Sequence, residues 1–575
     1  MNLAPASSQA EANGAAETRS EGRSLRRAAP DLVSALVILA LVPLLFGGVL
    51  HHGFIEDDLP LVGYAKAHPP VDYFLRPEAI RQLPWRVLAP LQILSLDFDQ
   101  HLFGLSPRGF YAHHLAALAL AALAVFALLR IWLRPGGALF GALLFLLGPP
   151  VATVANELMD RHYLEGLVLA AAAAGVWVLG LRRDRWALAG AAAALFLAAA
   201  AAKEIYVPLP ILLAALPEAN LTTRLRHLAP LAAALAGYLL WRDRMLGGIA
   251  AAYGFGSLPG DLPSLAVRWP GQVAEAASRA PWAAALIALA IAGAVYFAVR
   301  SLRSAGFLAV TLAVLALPLV PVSKTIRPRY LLLPWLVVAI VLAFVASEFS
   351  ARFGGRPARA LALGVVLVLA FAGHRGAWSK ASDRGERLSA ETRFAATATG
   401  EDLLSHPLAE PFSLAAASAM LRTPPETPEA PRPAWFYDDL YLCTQPIEGR
   451  RIWVWDERGH RLFDGTAGIP ARRDRYRRSI RWRAPLSVEI RYRRGVLRWK
   501  LGPPRPGQYS LLLGDGVAAY PVAPEDRLII GPPRGQLRVS FRSPQGWVTY
   551  SDPLAVDFAQ QENVEWSRAQ AVQEK

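Results

Sequence analysis

Long apolar blocks recur along the first two thirds of the chain and constrain its fold more than any other feature. They follow one another between residues 31 and 374, and none comparable comes after them. Each block has about 20 residues, enough α-helix to cross the hydrocarbon core of a bilayer. Only 18% of the residues are charged, whereas soluble domains carry about 25%. The pattern predicts a polytopic all-α membrane protein followed by a water-soluble C-terminal part.

Eleven apolar stretches are predicted to be membrane spans. The first, from Leu32 to Leu50, has no small-residue cleavage site after it, so we predict an uncleaved anchor behind a disordered cytoplasmic tail at 1–30. The others lie near 111–130, 137–155, 163–181, 186–202, 204–217, 227–245, 281–299, 305–322, 330–348 and 358–373.

The basic residues predict the orientation of these spans. With the N-terminus inside, every inner connection is short and carries arginine, as the positive-inside rule requires. An odd number of spans then places the C-terminus outside, in a bacterial periplasm or its equivalent. We therefore expect a membrane part at 31–374, a polar, Pro-rich connector at 375–434 and an outer domain at 435–575, in a multi-pass protein of the bacterial inner membrane.

The predicted outer loops also hold basic residues that orientation does not explain. Among them are Arg86, Arg161, Lys203, Arg327 and Arg329. An unpaired charge at the membrane edge is costly and suggests function, although Arg and Lys also snorkel at helix ends without a functional role. The formal net charge of +15 is interpreted as contact with anionic membrane lipids, and nucleic acid is not an expected partner.

The first predicted outer loop contains three consecutive carboxylates, Glu56, Asp57 and Asp58. Adjacent carboxylates repel and burial disfavours ionisation, so at least one of them should have a raised pKa. Such a group suits a general base or a metal ligand; a solvated acidic turn or a helix N-cap is the alternative. His113 and His114 lie one turn inside the second span, where a histidine pair is either a hydrogen-bonded helix-packing element or a pair of metal ligands, and packing is the commoner role.

Several short motifs together resemble the GT-C glycosyltransferases. The acidic loop is followed by LPWRVLAPL, which contains Arg86, and by FGLSPRGFYAHH at the second span. GPPVATVANELMDRHYLEGL places Arg161 on the family's arginine, AAKEIYVPLP matches its Lys-Glu motif, and RPRYLLLPWL matches a later Arg-Tyr motif. The chain is most similar to the protein O-mannosyltransferase branch and to bacterial proteins similar to transmembrane and tetratricopeptide-repeat mannosyltransferases.

The resemblance departs from the family's pattern in places. Ala202 stands where the family has Ser, Leu332 stands where it has Tyr, and no tetratricopeptide repeats follow. These changes leave the acceptor open.

The resemblance implies transfer of a sugar from a polyprenyl-phosphate carrier to an outer-side acceptor, a protein hydroxyl or a cell-envelope glycan, with inversion. It implies Asp57 or Asp58 as the base, with Glu56 beside them. The donor phosphate would contact Arg161, Lys203, Arg327, Arg329 and Arg86, and the substrates His113, His114, Glu204 and Tyr330. No cofactor is expected, since no ligand spacing demands a metal, although Asp57 and Asp58 could hold a divalent ion.

From Trp435 the sequence pattern changes to the period of a β-strand. Val488, Ile490 and Tyr492 alternate with charged residues, Arg494–Gly495 marks a turn, and Leu497, Trp499 and Leu501 alternate again. This predicts a hairpin, and similar strands to about residue 557 predict an all-β sandwich. Twelve basic and two acidic residues between 472 and 500 would suit an anionic lipid or glycan, or simply a solvated face.

Two other classes of protein compete with the glycosyltransferase. A transporter or flippase of lipid-linked glycans should carry ionisable residues at mid-bilayer and often two related halves. A non-catalytic membrane scaffold would leave the acidic loop and the outer arginines without a role. We expect the enzyme, because the charges gather at one predicted surface.

Overall fold

The structure is a computed structural model, and it describes residues 29–82, 87–249, 281–316, 327–352, 356–421, 434–482, 484–493, 496–529, 534–557 and 563–570. The chain is helical as far as residue 397 and contains three β-sheets after residue 400. It is thus mostly helical, with several apolar helices and a C-terminal β region. Nearly all of the predicted tail at 1–30, and residues 250–280, lie outside the described residues.

The helices of the first part follow one another closely. They are α1 (Ala29–His51), α2 (Asp58–Ala67), α3 (Asp72–Leu75), α4 (Pro77–Gln82), α5 (Pro90–Phe103), α6 (Pro107–Leu129), α7 (Pro135–Leu146), α8 (Pro149–Asn156), α9 (Arg161–Arg183), α10 (Trp186–Ala202), α11 (Leu209–Ala215), α12 (Leu221–Leu246), α13 (Pro281–Arg300), α14 (Leu302–Ala316), α15 (Leu332–Arg352) and α16 (Arg356–Thr397). Large apolar side chains of α1, α6, α7 and α15 form one buried core.

Five of the described helices are long and apolar enough to cross a membrane: α1, α6, α9, α13 and α15. The pair α7 and α8 qualifies together but is bent by 59°. The remaining predicted spans lie on α10, α11, α12, α14 and α16, which do not meet that test as described. The predicted count of eleven spans is therefore not confirmed. For α10 and α11 the reason is length, since they have 17 and 7 residues.

The first loop folds into a layer of short helices rather than an extended segment. Within this layer, α5 begins at Pro90 and ends at Phe103. Apolar side chains of α2, α3, α4 and α5 pack against the end of α12, at Met245 and Leu246. This packing fixes the start of α2, where the three carboxylates lie.

Helix α16 continues far beyond the boundary predicted at residue 374. It has 42 residues, apolar in its first half and polar in its second. Its polar half is tied to the segment after it, because Glu391 accepts hydrogen bonds from the backbone N–H groups of Leu408 and Ala409 at 2.7–2.9 Å. The stretch from 375 to 397 is thus a rigid helix in the structure.

The C-terminal part contains α17 (Pro411–Met420), α18 (Leu440–Thr444) and α19 (Ile469–Ser479) besides its strands. The strands are β1 (Asp402–Ser405), β2 (Ala434–Phe436), β3 (Arg451–Asp456), β4 (Arg461–Asp464), β5 (Leu486–Arg493), β6 (Val496–Gly502), β7 (Gln508–Leu513), β8 (Ala518–Val522), β9 (Glu525–Ile529), β10 (Arg534–Arg542), β11 (Val548–Tyr550), β12 (Leu554–Asp557) and β13 (Asn563–Gln570).

The predicted hairpin is confirmed, but the expectation of an all-β domain from residue 435 is wrong. Strands β5 and β6 pair antiparallel, and the alternating residues from Val488 to Leu501 are buried. Their sheet, β13-β5-β6-β9, packs face to face with the sheet built on β7 and β10. Before this sandwich comes a mixed sheet, β2-β1-β3-β4, in which β1 pairs parallel with both neighbours. Parallel pairing needs crossover connections, which explains the helices there.

Candidate active site

The carboxylates of the first loop differ sharply in their surroundings. Glu56 has a positive φ of 44°, which turns the chain into the start of α2. Asp58 is fully buried, and its Oδ2 accepts a hydrogen bond from the backbone N–H of Ile55 at 2.8 Å. Burial raises the pKa of Asp58 well above its usual value, and the charges of Asp57 and Glu56 raise it further. Asp58 therefore closes the turn, and its burial favours the protonated form.

Asp57 is the half-buried carboxylate of the group. Burial, reinforced by the negative charge of Glu56, raises the pKa of Asp57 to about 6, although Arg329 and Arg327 act against this shift. A carboxylate with this pKa is mostly ionised at neutral pH and yet more basic than an ordinary aspartate. Asp57 can accept a proton where Asp58 cannot, and it lies within electrostatic reach of the two predicted arginines.

Glu157 connects two arginines from distant parts of the chain. Helix α8 ends at Asn156, and a short turn, Leu158–Asp160, separates it from α9. At this break the Glu157 side chain lies between Arg329 and Arg384: its Oε2 is 2.8 Å from Nη1 of Arg329, and its Oε1 is 3.1 Å from Nη1 of Arg384. Asp160 Oδ1 lies 3.3 Å from the same Arg329 nitrogen.

The arginines of this cluster divide into a buried group and accessible groups. The Arg329 side chain is 9% exposed, whereas those of Arg384 and Arg327 are 38% and 51% exposed. Arg384 also pairs with Glu56, and Arg327 Nη1 lies 3.9 Å from Glu56 Oε2. Arg327 and Arg384 can thus meet a ligand directly, while Arg329 holds the acidic turn in place.

Lys203, Glu204 and Tyr330 border the same cluster. Lys203 is buried. Its Nζ lies 3.7 Å from Glu204 Oε2 and 5.3 Å from the centre of the Tyr163 ring. The guanidinium of Arg329 lies 5.5 Å from the centre of the Tyr330 ring. These groups support the cluster from its buried side.

Arg161, His113 and His114 are directed elsewhere. Arg161 and His113 both pair with the fully buried Asp99, the histidine at 2.6 Å. His114 is fully buried, and its Nε2 lies 2.9 Å from the backbone oxygen of Val154. The structure does not bring these three side chains into the cluster, and Arg86 lies outside the described residues.

A groove of about 820 Å³ joins the cluster to an apolar surface. Its lining includes Trp282 of α13 and Leu369 of α16 as well as Glu157, Arg327 and Arg384. Gly373, Gly376 and Ala377 form part of the wall on α16. At Gly373 a side chain would not fit, because a Cβ built there comes within 1.8 Å of the Trp282 ring. This groove suits a molecule with an apolar tail and an anionic head.

The sequence analysis missed four contributors to the site: Glu157, Asp160, Lys380 and Arg384. Glu157 and Asp160 lie inside the stretch NELMDR. In that stretch the resemblance implied a functional role for Arg161 alone. Lys380 and Arg384 follow the boundary placed at residue 374, because the helix was expected to end with its apolar half. A prediction that the helix continues through 375–397 would have included Lys380 and Arg384, which line the groove.

Among the described residues, one group has carboxylate and imidazole atoms close enough to hold a metal ion, namely Asp383, Glu386 and His460, all exposed. The three carboxylates of the first loop do not form such a group. Glu56 is instead paired with arginine, and Asp58 with backbone.

The chain has neighbours among proteins of solved structure. No protein-family model matches the chain, and no curated protein matches it. The crystal structure of ArnT from Cupriavidus metallidurans bound to undecaprenyl phosphate aligns with 68% of this chain and 85% of its own, at 15% identity and a TM-score of 0.38.

Proposed function

We propose that the chain is a membrane glycosyltransferase of the GT-C type, which transfers a sugar from a polyprenyl-phosphate carrier to a hydroxyl acceptor. The observation that carries the proposal is the groove lined by Trp282, Leu369, Arg327 and Arg384. Asp57, whose pKa is raised, is not part of its lining but lies within electrostatic reach of Arg327. The prenyl chain would lie along Trp282 and Leu369, with the phosphate at Arg327 and Arg384. In this arrangement the apolar wall would bind the prenyl chain and the arginines would bind the phosphate, so one site needs both features.

In the proposed step, Asp57 accepts the proton of the acceptor hydroxyl. At the same time the hydroxyl oxygen of the acceptor attacks the anomeric carbon of the sugar. The bond between that carbon and the phosphate oxygen breaks, and the bonding electrons leave with the polyprenyl phosphate. Attack from the face opposite the leaving group inverts the anomeric centre. The products are the glycosylated acceptor and polyprenyl phosphate, and Asp57 returns its proton to water.

The arginines favour this step because they are placed where negative charge develops. Arg327 and Arg384 are accessible and can donate to the departing phosphate, and guanidinium groups match phosphate geometry in a bidentate manner. Glu157 and Asp160 hold Arg329, and Glu157 also orients Arg384. A fixed donor of this kind contributes about 3–4 kcal/mol to a transition state.

The direct test is a transfer assay with the full chain in lipid nanodiscs. Envelope extract from cells lacking the gene supplies donor lipid and acceptor, and mass spectrometry follows the sugar and the polyprenyl phosphate released. We expect release with the wild type and a loss of about a hundredfold or more with Asp57→Asn or Arg384→Gln. Arg375→Gln is the matched control, since Arg375 is an exposed arginine of the same helix that does not line the groove.

Two outcomes would overturn the proposal. Unchanged sugar transfer with Asp57→Asn would remove the base from the mechanism. Movement of intact lipid-linked sugar between leaflets without any release of polyprenyl phosphate would favour the transporter or flippase instead.

A further inference from the structure

A second candidate binding site lies at one end of the C-terminal sandwich, away from the residues of the groove. We call it the aromatic cleft. It has a volume of about 620 Å³ and is lined by Arg481, Trp482, Ala484, Pro485, Arg505 and Trp547. Three separate connections supply these residues: the segment before β5, the loop between β6 and β7, and the turn between β10 and β11. Loops gathered at the end of a sandwich commonly carry binding sites.

The tryptophans of the aromatic cleft are held by packing and still face solvent. The Trp482 ring lies 5.7 Å from the buried ring of Tyr550, and the Trp547 ring lies 5.5 Å from that of Phe541. Trp482 nevertheless remains 52% exposed. It is not part of the core between the two sheets. An exposed indole held in a concave surface is a feature that folding alone does not require.

Two arginines share the ring of Trp547. The guanidinium carbon of Arg481 lies 5.0 Å from its centre and that of Arg505 lies 5.2 Å from it, and Arg505 also lies 3.9 Å from the Phe541 ring centre. Stacking against a ring leaves the edge of an exposed guanidinium group, here that of Arg481, free to donate hydrogen bonds. Nε and Nη2 of Arg505 are buried without a hydrogen-bond partner. Neither arginine forms an ion pair with a carboxylate among the described residues, and no carboxylate lines the cleft.

This combination selects for a ligand with both a flat apolar face and negative charge. Sugar rings present C–H groups on their faces, which pack against indoles, while carboxylate or phosphate substituents match guanidinium donors. A neutral sugar would leave the arginines unused. The choice of a saccharide over another stacking anion rests on the proposed function, in which a glycan takes part.

We propose that the aromatic cleft binds an anionic saccharide, stacking a sugar ring on Trp482 and pairing its carboxylate or phosphate groups with Arg481 and Arg505. Such a site would retain an envelope glycan near the enzyme. Its binding does not depend on the chemistry at Asp57.

Binding is measured on the full chain in phosphatidylcholine nanodiscs by isothermal titration calorimetry. The probes are hexagalacturonate, which is an anionic saccharide, and maltohexaose, which is a neutral one of equal length. We expect hexagalacturonate to bind, maltohexaose to bind at least tenfold more weakly, and Trp482→Ala or Arg481→Gln to weaken hexagalacturonate about tenfold. Trp482 and Arg481 are exposed, so these variants should fold.

Matched controls separate the cleft from general charge and from catalysis. Phe463→Ala removes another exposed aromatic side chain, and Arg498→Gln removes a charge from the exposed face of β6; neither should change the affinity. Asp57→Asn should bind as the wild type does, so a failure of the catalytic proposal leaves this result intact. Equal losses with Arg498→Gln and Arg481→Gln would contradict the inference, and so would tighter binding of oligothymidylate than of hexagalacturonate.

A second arm distinguishes a lipid-held glycan from a free one. Nanodiscs that contain lipopolysaccharide should compete with hexagalacturonate if the glycan is presented by a membrane, and soluble phosphorylated oligosaccharide should compete if it is free. Competition by either supports an anionic saccharide. Competition by tripolyphosphate alone would contradict the role of the sugar ring.

Discussion

Asp57 and Asp58 are neighbours in sequence, but the fold places them in different surroundings. Asp58 lies in the interior and accepts the Ile55 N–H, whereas Asp57 is half-buried beside the arginines of the groove. The sequence predicted that at least one carboxylate would have a raised pKa, and both do. It could not say which one faces the ligand, because that depends on the turn at Glu56 and on residues more than 100 positions away.

The pH dependence of transfer should report the ionisation of Asp57. A general base works only when deprotonated, so kcat/KM should fall as the pH drops through about 6, the raised pKa of Asp57, and level off above it. The measurement is the pH profile of initial rates, compared with the pH stability of the protein. A profile that is flat between pH 5 and 8 would contradict the assignment.

Substitutions at Asp58 should affect stability rather than chemistry. Asp58→Asn keeps an oxygen for the Ile55 N–H and replaces a neutral acid, so activity and melting temperature should remain close to those of the wild type. Asp58→Ala leaves that buried N–H without a partner, at a cost of about 1–3 kcal/mol. Thermal unfolding in detergent measures the difference. Loss of activity in Asp58→Asn at normal stability would show that Asp58, not Asp57, acts on the substrate.

Among the elements, α16 shows most clearly which features could be predicted from the sequence and which could not. Its apolar half and most of the other predicted spans coincide with helices, because hydropathy depends on local composition. The polar half was missed for the same reason: its helix is stabilised by contacts with the C-terminal part, such as those of Glu391, and not by a lipid-facing surface. Lys380 and Arg384 were lost from the predicted site with it.

The groove can be blocked on α16 without disturbing the helix. A Cβ at Gly376 meets nothing within 4 Å, and Gly376 lines the groove, so Gly376→Leu should fit and occupy space meant for a ligand. Leucine also favours helix over glycine by about 1 kcal/mol. We expect normal expression and weaker transfer. The measurement is the apparent KM for the lipid donor, which should rise.

Gly364→Leu is the matched control on the same helix. Its Cβ likewise meets nothing within 4 Å, but Gly364 does not line the groove. Equal activity of the two variants would show that the groove does not hold the donor.

For the whole molecule, the first loop contacts both the polar half of α16 and the C-terminal part. The backbone N–H of Gly53 donates to Ser389 Oγ at 2.9 Å, and Met420 lies against Gly63. The charge of Glu410 reaches Asp57. Contacts of this range cannot be read from local sequence patterns. They explain why the predicted division at 374 and 434 cuts through elements that act together.

The predicted orientation places the sandwich and the cluster outside the cell. Cysteine labelling tests it in intact cells, starting from Cys443→Ser, which removes the one native cysteine. A membrane-impermeant maleimide should label Arg498→Cys on the sandwich and leave Arg183→Cys, at the end of α9, unlabelled until the cells are lysed. The reverse pattern would place the site in the cytoplasm and contradict an outer-side acceptor.

The central claim is that one groove holds a lipid-borne phosphate beside Asp57, and photo-crosslinking tests it most directly. A polyprenyl phosphate with a photoreactive group next to its phosphate is irradiated with the protein in nanodiscs, and the adducts are located by mass spectrometry. We expect adducts on the peptides that carry Arg327 and Arg384, suppressed by unlabelled polyprenyl phosphate and by Gly376→Leu but not by Gly364→Leu. Adducts spread over the lipid-facing helices, and insensitive to Gly376→Leu, would contradict the account.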